Sequence, residues 1–190
     1  MAKRVCPFWV GYLLINPLRK LFENPDKLLK PHITSGMMVL DVGSGMGFFS
    51  LPIARMVGAE GKVICVDVQE KMLKSLKRRA RKAGLSDRIE TRICHQGSLG
   101  LDDLNEKIDF ALAFAVVHEV PNITQFFDEL FNTLKPTGKL LLAEPKGHVS
   151  EKDFNRTISV AQQNKFKIID TPSIPRNRTI LLKKKVPLKN

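Results

Sequence analysis

The chain has 190 residues, 43% hydrophobic and 26% charged, and its 31 lysines and arginines against 19 aspartates and glutamates give a formal net charge of +12. That length suits one domain of ordinary size, the apolar fraction excludes a disordered chain, and no apolar run approaches the roughly 20 residues that span a bilayer. Cys6, Cys65 and Cys94 are too scattered for a disulfide framework or a structural zinc site, so a reducing, cytoplasmic setting without a bound metal is expected.

Lys3 and Arg4 precede an apolar stretch over 8–15, but no small-residue cleavage site follows, so a secretory leader is not indicated. Apolar residues at 8, 12, 15, 18 and 22 recur at helical spacing and predict an amphipathic segment interrupted near Pro17. Trp9 and Tyr12, the only Trp and Tyr of the chain, lie in it. A short helix is expected over 24–29, with Pro25 suited to its first turn. The run Met37-Met38-Val39-Leu40-Asp41-Val42 then reads as a buried parallel strand that stops at Gly43. Beyond it the pattern predicts a helix over 48–56, a strand over 62–66, a helix over 69–83, strands over 89–94 and 108–114, a helix over 123–134 and a strand over 139–143. A helix over 151–164 and strand-like runs over 166–170 and 179–183 complete the chain. Such alternation builds βαβ units, and hence an α/β fold around a mostly parallel sheet.

Gly43, Gly45 and Gly47 stand at every second position between a predicted strand and a predicted helix. Glycines there let the backbone adopt positive φ and approach a ligand closely, while the helix start offers unpaired N–H groups. The spacing is G-x-G-x-G with Phe48 behind it, which departs from the dinucleotide pattern G-x-G-x-x-G, and no Gly-Lys-Ser follows to make a P-loop. The next predicted strand runs into Asp67, where a carboxylate at a strand's end can accept bonds from both hydroxyls of a ribose.

With these residues in order, the sequence resembles the class I S-adenosylmethionine-dependent methyltransferases over about residues 37–145. The resemblance implies a doubly wound, Rossmann-like α/β/α sandwich with a C-terminal antiparallel hairpin, and S-adenosylmethionine as cofactor. Asp41, Gly43, Ser44, Gly45 and Gly47 resemble the family's first motif, and Asp67 with Val68 its ribose-binding acid. Gly97-Ser98-Leu99 occupies the place of the Gly-Asp that holds the adenine amino group, with Ser98 replacing the acid. The segment 109–120, containing Ala115 and His118, resembles the fourth motif as found in enzymes of the ubiquinone-biosynthesis and arsenite type, and 134–145 resembles the turn into the fifth strand. Residues 1–36 would then form a lid whose Tyr12 can bond the cofactor carboxylate, over a cofactor-binding domain of residues 37–190.

Methyl transfer from a sulfonium needs alignment and exclusion of water more than it needs a catalytic side chain, although an acceptor with a proton to lose needs a base. Candidates are His118, Glu119, Glu144 and His148, of which His118 and Glu144 are favoured because they follow strand ends and are expected to face the crevice. His95 is a weaker candidate, and His32 reads as a loop residue. Cys65 reads as a buried strand thiol, so the three cysteines do not suggest a metalloid site. The expected acceptor is a small molecule. Rival readings are an RNA methyltransferase using the basic helix over 69–83 and the tail lysines Lys183, Lys184, Lys185 and Lys189, and a cofactor-binding module without catalysis. Lys3, Arg4, Arg19 and Lys20 offer a further expectation, contact with a membrane surface.

Overall fold

The computed structural model describes residues 11, 19, 23–95 and 97–185. Helix α1 (Pro25–Leu29) starts where Asn24 accepts the N–H groups of Asp26 and Lys27 at 3.0 and 3.3 Å, with proline in the first turn. Strand β1 (Met38–Val42) leads to α2 (Ser50–Met56), β2 (Lys62–Asp67), α3 (Glu70–Lys82) and β3 (Ile89–Ile93). Strand β4 (Ile108–Phe114), α4 (Ile123–Thr133), β5 (Leu134–Pro145), α5 (Glu151–Gln163), β6 (Phe166–Asp170) and β7 (Asn177–Lys184) follow. Asn122 and Ser150 cap α4 and α5, accepting the N–H groups of Gln125 and Asp153, both at 3.1 Å.

The seven strands form one sheet in the order β3-β2-β1-β4-β5-β7-β6. Strands β1 to β5 pair in parallel, while β7 runs antiparallel between β5 and β6. The mostly parallel sheet that the alternation predicts is therefore present, and so are the doubly wound order and C-terminal hairpin that the resemblance implies. The largest boundary difference is β5, which begins at Leu134 rather than near residue 139 because Leu134 already pairs with Ile108 across a register shift.

Alternation along the strands divides the core in two. Leu40, Val42, Ile64, Val66, Ala111, Ala113, Leu140 and Leu142 point to the face covered by α4 and α5 through Phe126, Phe127, Leu130 and Phe154. Val39, Val63, Cys65, Phe110, Leu112, Leu141 and Ala143 point to the other, covered by Leu29 of α1, Leu51 and Ile53 of α2, and Leu73 and Leu76 of α3. The central strands are buried on both faces, which is why they read as continuous apolar runs.

On α3, Met72, Leu73, Leu76 and Ala80 are buried and Lys71, Lys74, Lys77, Arg78, Arg81 and Lys82 are exposed. Ala83, within the helix expected over 69–83, is exposed and lies beyond the helix, which ends at Lys82. Arg79 departs from the basic face: its half-buried guanidinium donates to the Met46 carbonyl and burial lowers its pKa. Lys184, expected in a basic tail, is instead a β7 residue only 5% exposed, whose ammonium donates to the Leu134 carbonyl at 2.7 Å and sits 4.5 Å from the Phe131 ring centroid. Lys189 lies outside the described residues.

Phe127 is fully buried and meets Phe126 and Phe166 edge-on at 5.5 and 5.9 Å. Phe127→Ala removes the anchor that holds α4 to the sheet and is expected to cost about 3–5 kcal/mol in urea denaturation. A loss below about 1 kcal/mol would show that the face does not rest on it.

Candidate functional site

Strand β1 pairs with β2 on one side and β4 on the other, and the connections leaving β1 and β4 pass to opposite faces of the sheet. A crevice opens between their carboxyl ends. It is lined by Asp41, Gly43, Ser44, Gly45, Asp67, Val68, Gly97, Ser98, Leu99 and Ala115, all expected from the sequence. Gln69, Cys94, His95, Glu119, Glu129 and the aromatic residues Phe48, Phe49 and Phe114 also line it.

The three glycines do different work. All have positive φ, +69° at Gly43, +53° at Gly45 and +84° at Gly47. A Cβ on Gly43 would stand 2.7 Å from a methyl of Val116, and one on Gly47 only 2.3 Å from Leu76. These two therefore let β4's end and α3 approach, and Gly47, expected to touch cofactor, does not line the cleft. Over Gly45 nothing lies within 4 Å. The neighbouring Ser44 hydroxyl oxygen is buried with no hydrogen-bond partner among the described residues. An open backbone beside an orphaned polar atom is suited to a ligand.

Asp67, at the end of β2, accepts N–H groups from Gly45 at 2.9 Å and Gln69 at 2.8 Å, leaving acceptor capacity for hydroxyls. Burial raises its pKa against the opposing effect of these two bonds. Farther along the wall, Glu129 of α4 accepts the Leu99 N–H at 2.6 Å and the Ser98 hydroxyl at 3.2 Å. Glu129 was not singled out from the sequence. Its position on a helix solvent face, far from Ser98 in the chain, carries no local signal.

Glu144 requires a correction. It ends β5 as expected but is 1% exposed and does not line the crevice. Its carboxylate turns back beneath the segment after β4, accepting the N–H groups of Val116 at 3.2 Å and Val117 at 2.7 Å and lying 2.5 Å from His118 Nδ1. This brings the two favoured catalytic candidates together behind the cleft wall. His118 itself is not among the lining residues, whereas its neighbour Glu119 is. Ala115, at φ +56°, begins the turn that Glu144 braces. The His148 ring is 6.0 Å from that of His118, and His32 stacks on Phe110.

Of the amino-terminal segment, Gly11 and Arg19 are described and both line the cleft. Arg19, expected on a membrane-facing surface, turns inward. Its side chain is 18% exposed, pairs with Glu23 at 2.5 Å and lies 4.2 Å from the Phe48 ring centroid. Tyr12, Trp9, Phe8, Cys6, Lys3, Arg4 and Lys20 lie outside the described residues, as does Gln96. Among the described residues no group of three His, Cys, Asp or Glu side chains is arranged to hold a metal ion, and no helix is long and apolar enough to cross a membrane.

Asp41 sits behind the glycine turn, where it accepts the Ser50 hydroxyl at 2.6 Å. Burial pushes its carboxyl up to about 7, with the Ser50 bond opposing and the Asp67 charge adding. The folded value exceeds the unfolded one, near 3.9, so the folded protein holds this proton more tightly. The resulting stabilisation is complete below about pH 4 and is lost as pH rises through about 7. Asp41→Asn keeps an acceptor for Ser50 but cannot ionise. Relative to the wild type it is therefore expected to gain on the order of a few kcal/mol between pH 5 and pH 8 in urea denaturation. An equal difference at both pH values would contradict this assignment.

Residues 33–184 match the family model described as methyltransferase domain. The arsenite methyltransferase of Halobacterium salinarum is 30% identical over 109 residues, 57% of this chain and 27% of that protein. The ubiquinone biosynthesis O-methyltransferase of Paramagnetospirillum magneticum is 32% identical over 117 residues, 62% of this chain and 43% of that protein. The chain thus spans less than half the length of either relative. An S-adenosylmethionine-dependent methyltransferase from Aquifex aeolicus, known from its crystal structure, superposes with a TM-score of 0.84 over 96% of this chain and 100% of that one, at 24% identity. With the family model covering most of the chain and a glycine cradle beside Asp67 at the switch point of the sheet, the chain belongs to the S-adenosylmethionine-dependent methyltransferases.

Proposed function

We propose that this protein transfers a methyl group from S-adenosylmethionine to a small-molecule acceptor in the cleft between β1 and β4. The observation that carries the reading is the cradle itself: open space above Gly45, a buried Ser44 hydroxyl in want of a partner, and the Asp67 carboxylate on one wall. Gly45 and Ser44 would hold the amino-acid portion of the cofactor, Asp67 its ribose, and Val68, Gly97, Ser98 and Leu99 its base. When bound, S-adenosylmethionine supplies an electrophilic methyl group whose departure leaves neutral sulfur.

The chain's own residues then have two tasks. The first is to align the acceptor and exclude water, for which Phe48, Phe49 and Phe114 provide a wall, the latter two with ring centroids 4.6 Å apart. The part of residues 1–36 that acts as a lid in this reading is the part ahead of α1, supported by Gly11 and Arg19 in the cleft lining, since Leu29 of α1 belongs to the core. The second is to take a proton where the acceptor has one to lose. The buried Glu144 carboxylate beside His118 Nδ1 favours the tautomer with the proton on Nδ1 and the basic lone pair on Nε2. His118 acts as general base and Glu144 as its positioning partner. Because His118 does not itself line the cleft, this role requires an acceptor that extends past Glu119, its neighbour in the lining.

The acceptor is read as a small molecule because the similar proteins named above are methyltransferases for arsenite and ubiquinone biosynthesis. The exposed lysines and arginines of α3 favour a second reading, RNA as acceptor. Transfer of labelled methyl from S-adenosylmethionine to a panel of thiols, phenols, quinols, arsenite and RNA decides between them. Labelling of RNA alone, with binding that weakens steeply with salt, would replace the small-molecule reading. Cofactor binding without transfer to any acceptor would replace catalysis with a binding role.

Gly45→Val places a side chain in the open space, and is expected to abolish calorimetric binding of S-adenosylhomocysteine while circular dichroism still shows a folded α/β chain. Retained affinity would show that the ligand does not pass over this turn. For an acceptor with an ionisable proton, His118→Asn is expected to lower kcat by about 10²–10⁴ at unchanged cofactor affinity. An unchanged kcat would remove the proton-transfer role.

A further inference from the structure

The loop after β3 closes tightly, His95 and Ser98 exchanging backbone hydrogen bonds of 3.1 Å, and presents Gly97, Ser98 and Leu99 to the cleft. Glu129 reaches this loop from α4 and shares the lining. Its Oε2 accepts the Leu99 N–H and the Ser98 hydroxyl, and its Oε1 accepts the Gln125 amide at 3.1 Å. Ser98 Oγ in turn accepts the Gly100 N–H at 3.0 Å, so its own proton goes to Glu129. A carboxylate has about four lone-pair sites, and these donors occupy three. One acceptor site remains on a side chain that borders the cleft.

The Cys94 thiol links this acid to the ribose end of the site. Its pKa is raised to about 11, by burial first and by the Asp67 and Glu129 carboxylates in addition. Asp67 and Glu129 therefore act on the same stretch of wall, as the sugar and the base of one nucleoside would require.

Resting on the cofactor assignment above, we infer that Glu129 reads the base, its carboxylate accepting the 6-amino N–H of adenine at the wall formed by Ser98 and Leu99. Adenine presents an N–H donor at that position, whereas hypoxanthine presents a carbonyl oxygen that repels a carboxylate. The loop position held by Ser98 is where the resembling enzymes place an acid. An aspartate there would set a second carboxylate against Glu129, whose Oε2 is 3.2 Å from the present hydroxyl, and the two like charges would repel. Serine at 98 and glutamate at 129 are thus complementary: the acceptor sits on the helix, and the loop supplies a donor that holds it.

Calorimetry with S-adenosylhomocysteine and its 6-oxo counterpart, S-inosylhomocysteine, tests this on the full chain. The wild type is expected to prefer the adenine compound by roughly tenfold or more. Glu129→Gln, whose amide can turn its donor toward a 6-oxo group while its oxygen still accepts from Leu99, should lose most of that preference. Ser98→Asp should weaken adenine binding, and Ser98→Asp combined with Glu129→Gln should restore the preference from the loop. A Glu129→Gln protein of unchanged thermal midpoint that keeps the full preference overturns the role of Glu129 alone. Failure of the wild type to bind S-adenosylhomocysteine overturns the cofactor assignment itself.

Discussion

The structure depends on one constraint: β1 is paired in parallel on both sides, with β2 and with β4. Parallel neighbours require crossovers, and those leaving β1 and β4 cover opposite faces of the sheet. Their first residues therefore diverge, and the gap left at the carboxyl ends becomes the cleft. Gly43 and Gly47 serve the frame of this gap. One admits Val116 from the β4 side and the other admits Leu76 from α3, each at a distance a Cβ would forbid. Because these flanking glycines carry the close packing, Gly45 between them keeps open space above it.

Two buried acids extend the same constraint outward. Asp41 receives the hydroxyl of Ser50, the first residue of α2, and so ties β1 to the helix that follows the glycine turn. Glu144 receives two backbone N–H groups from the segment after β4 and adjoins His118, and so ties β5 to the opposite wall. A buried carboxylate is costly unless its oxygens are satisfied, and here the satisfaction comes from groups that must be held still for the cleft to keep its shape. Their different partners suit their different tasks. Asp41 accepts a single hydroxyl, whereas Glu144 faces two amides and an imidazole, all capable of donating.

Much of this was legible in the sequence because the informative contacts are local. The bounds of β4 and β6 follow from apolar runs, the start of α1 from Pro25, and the cradle from glycines next to a strand. What escaped was long-range and depended on side-chain direction. Glu144 lies at the strand end the pattern predicts, but only the pairing of β5 with β4 shows that it points beneath the turn rather than into the crevice. Glu129 and Ser98 are 31 positions apart and meet because α4 lies over the β3 end of the site. Arg19 and Lys184 read as surface charges, yet each finds aromatic rings and an acceptor that make its burial tolerable.

The placement of those charges also changes what the +12 net charge means. A concentrated part of the excess lies on the exposed face of α3, where Lys71, Lys74, Lys77, Arg78, Arg81 and Lys82 stand, while the described cleft lining carries Asp41, Asp67, Glu119 and Glu129 against Arg19. Arg19 is already engaged by Glu23, so the cleft presents acceptors more than cations. A polyanion drawn to α3 would meet carboxylates at the cleft, whereas a nucleoside with many hydroxyl and amino donors and a positive sulfonium would find complementary groups there. The field of the whole protein and the chemistry of its cleft thus have opposite signs, and the identity of the bound ligand follows from the cleft.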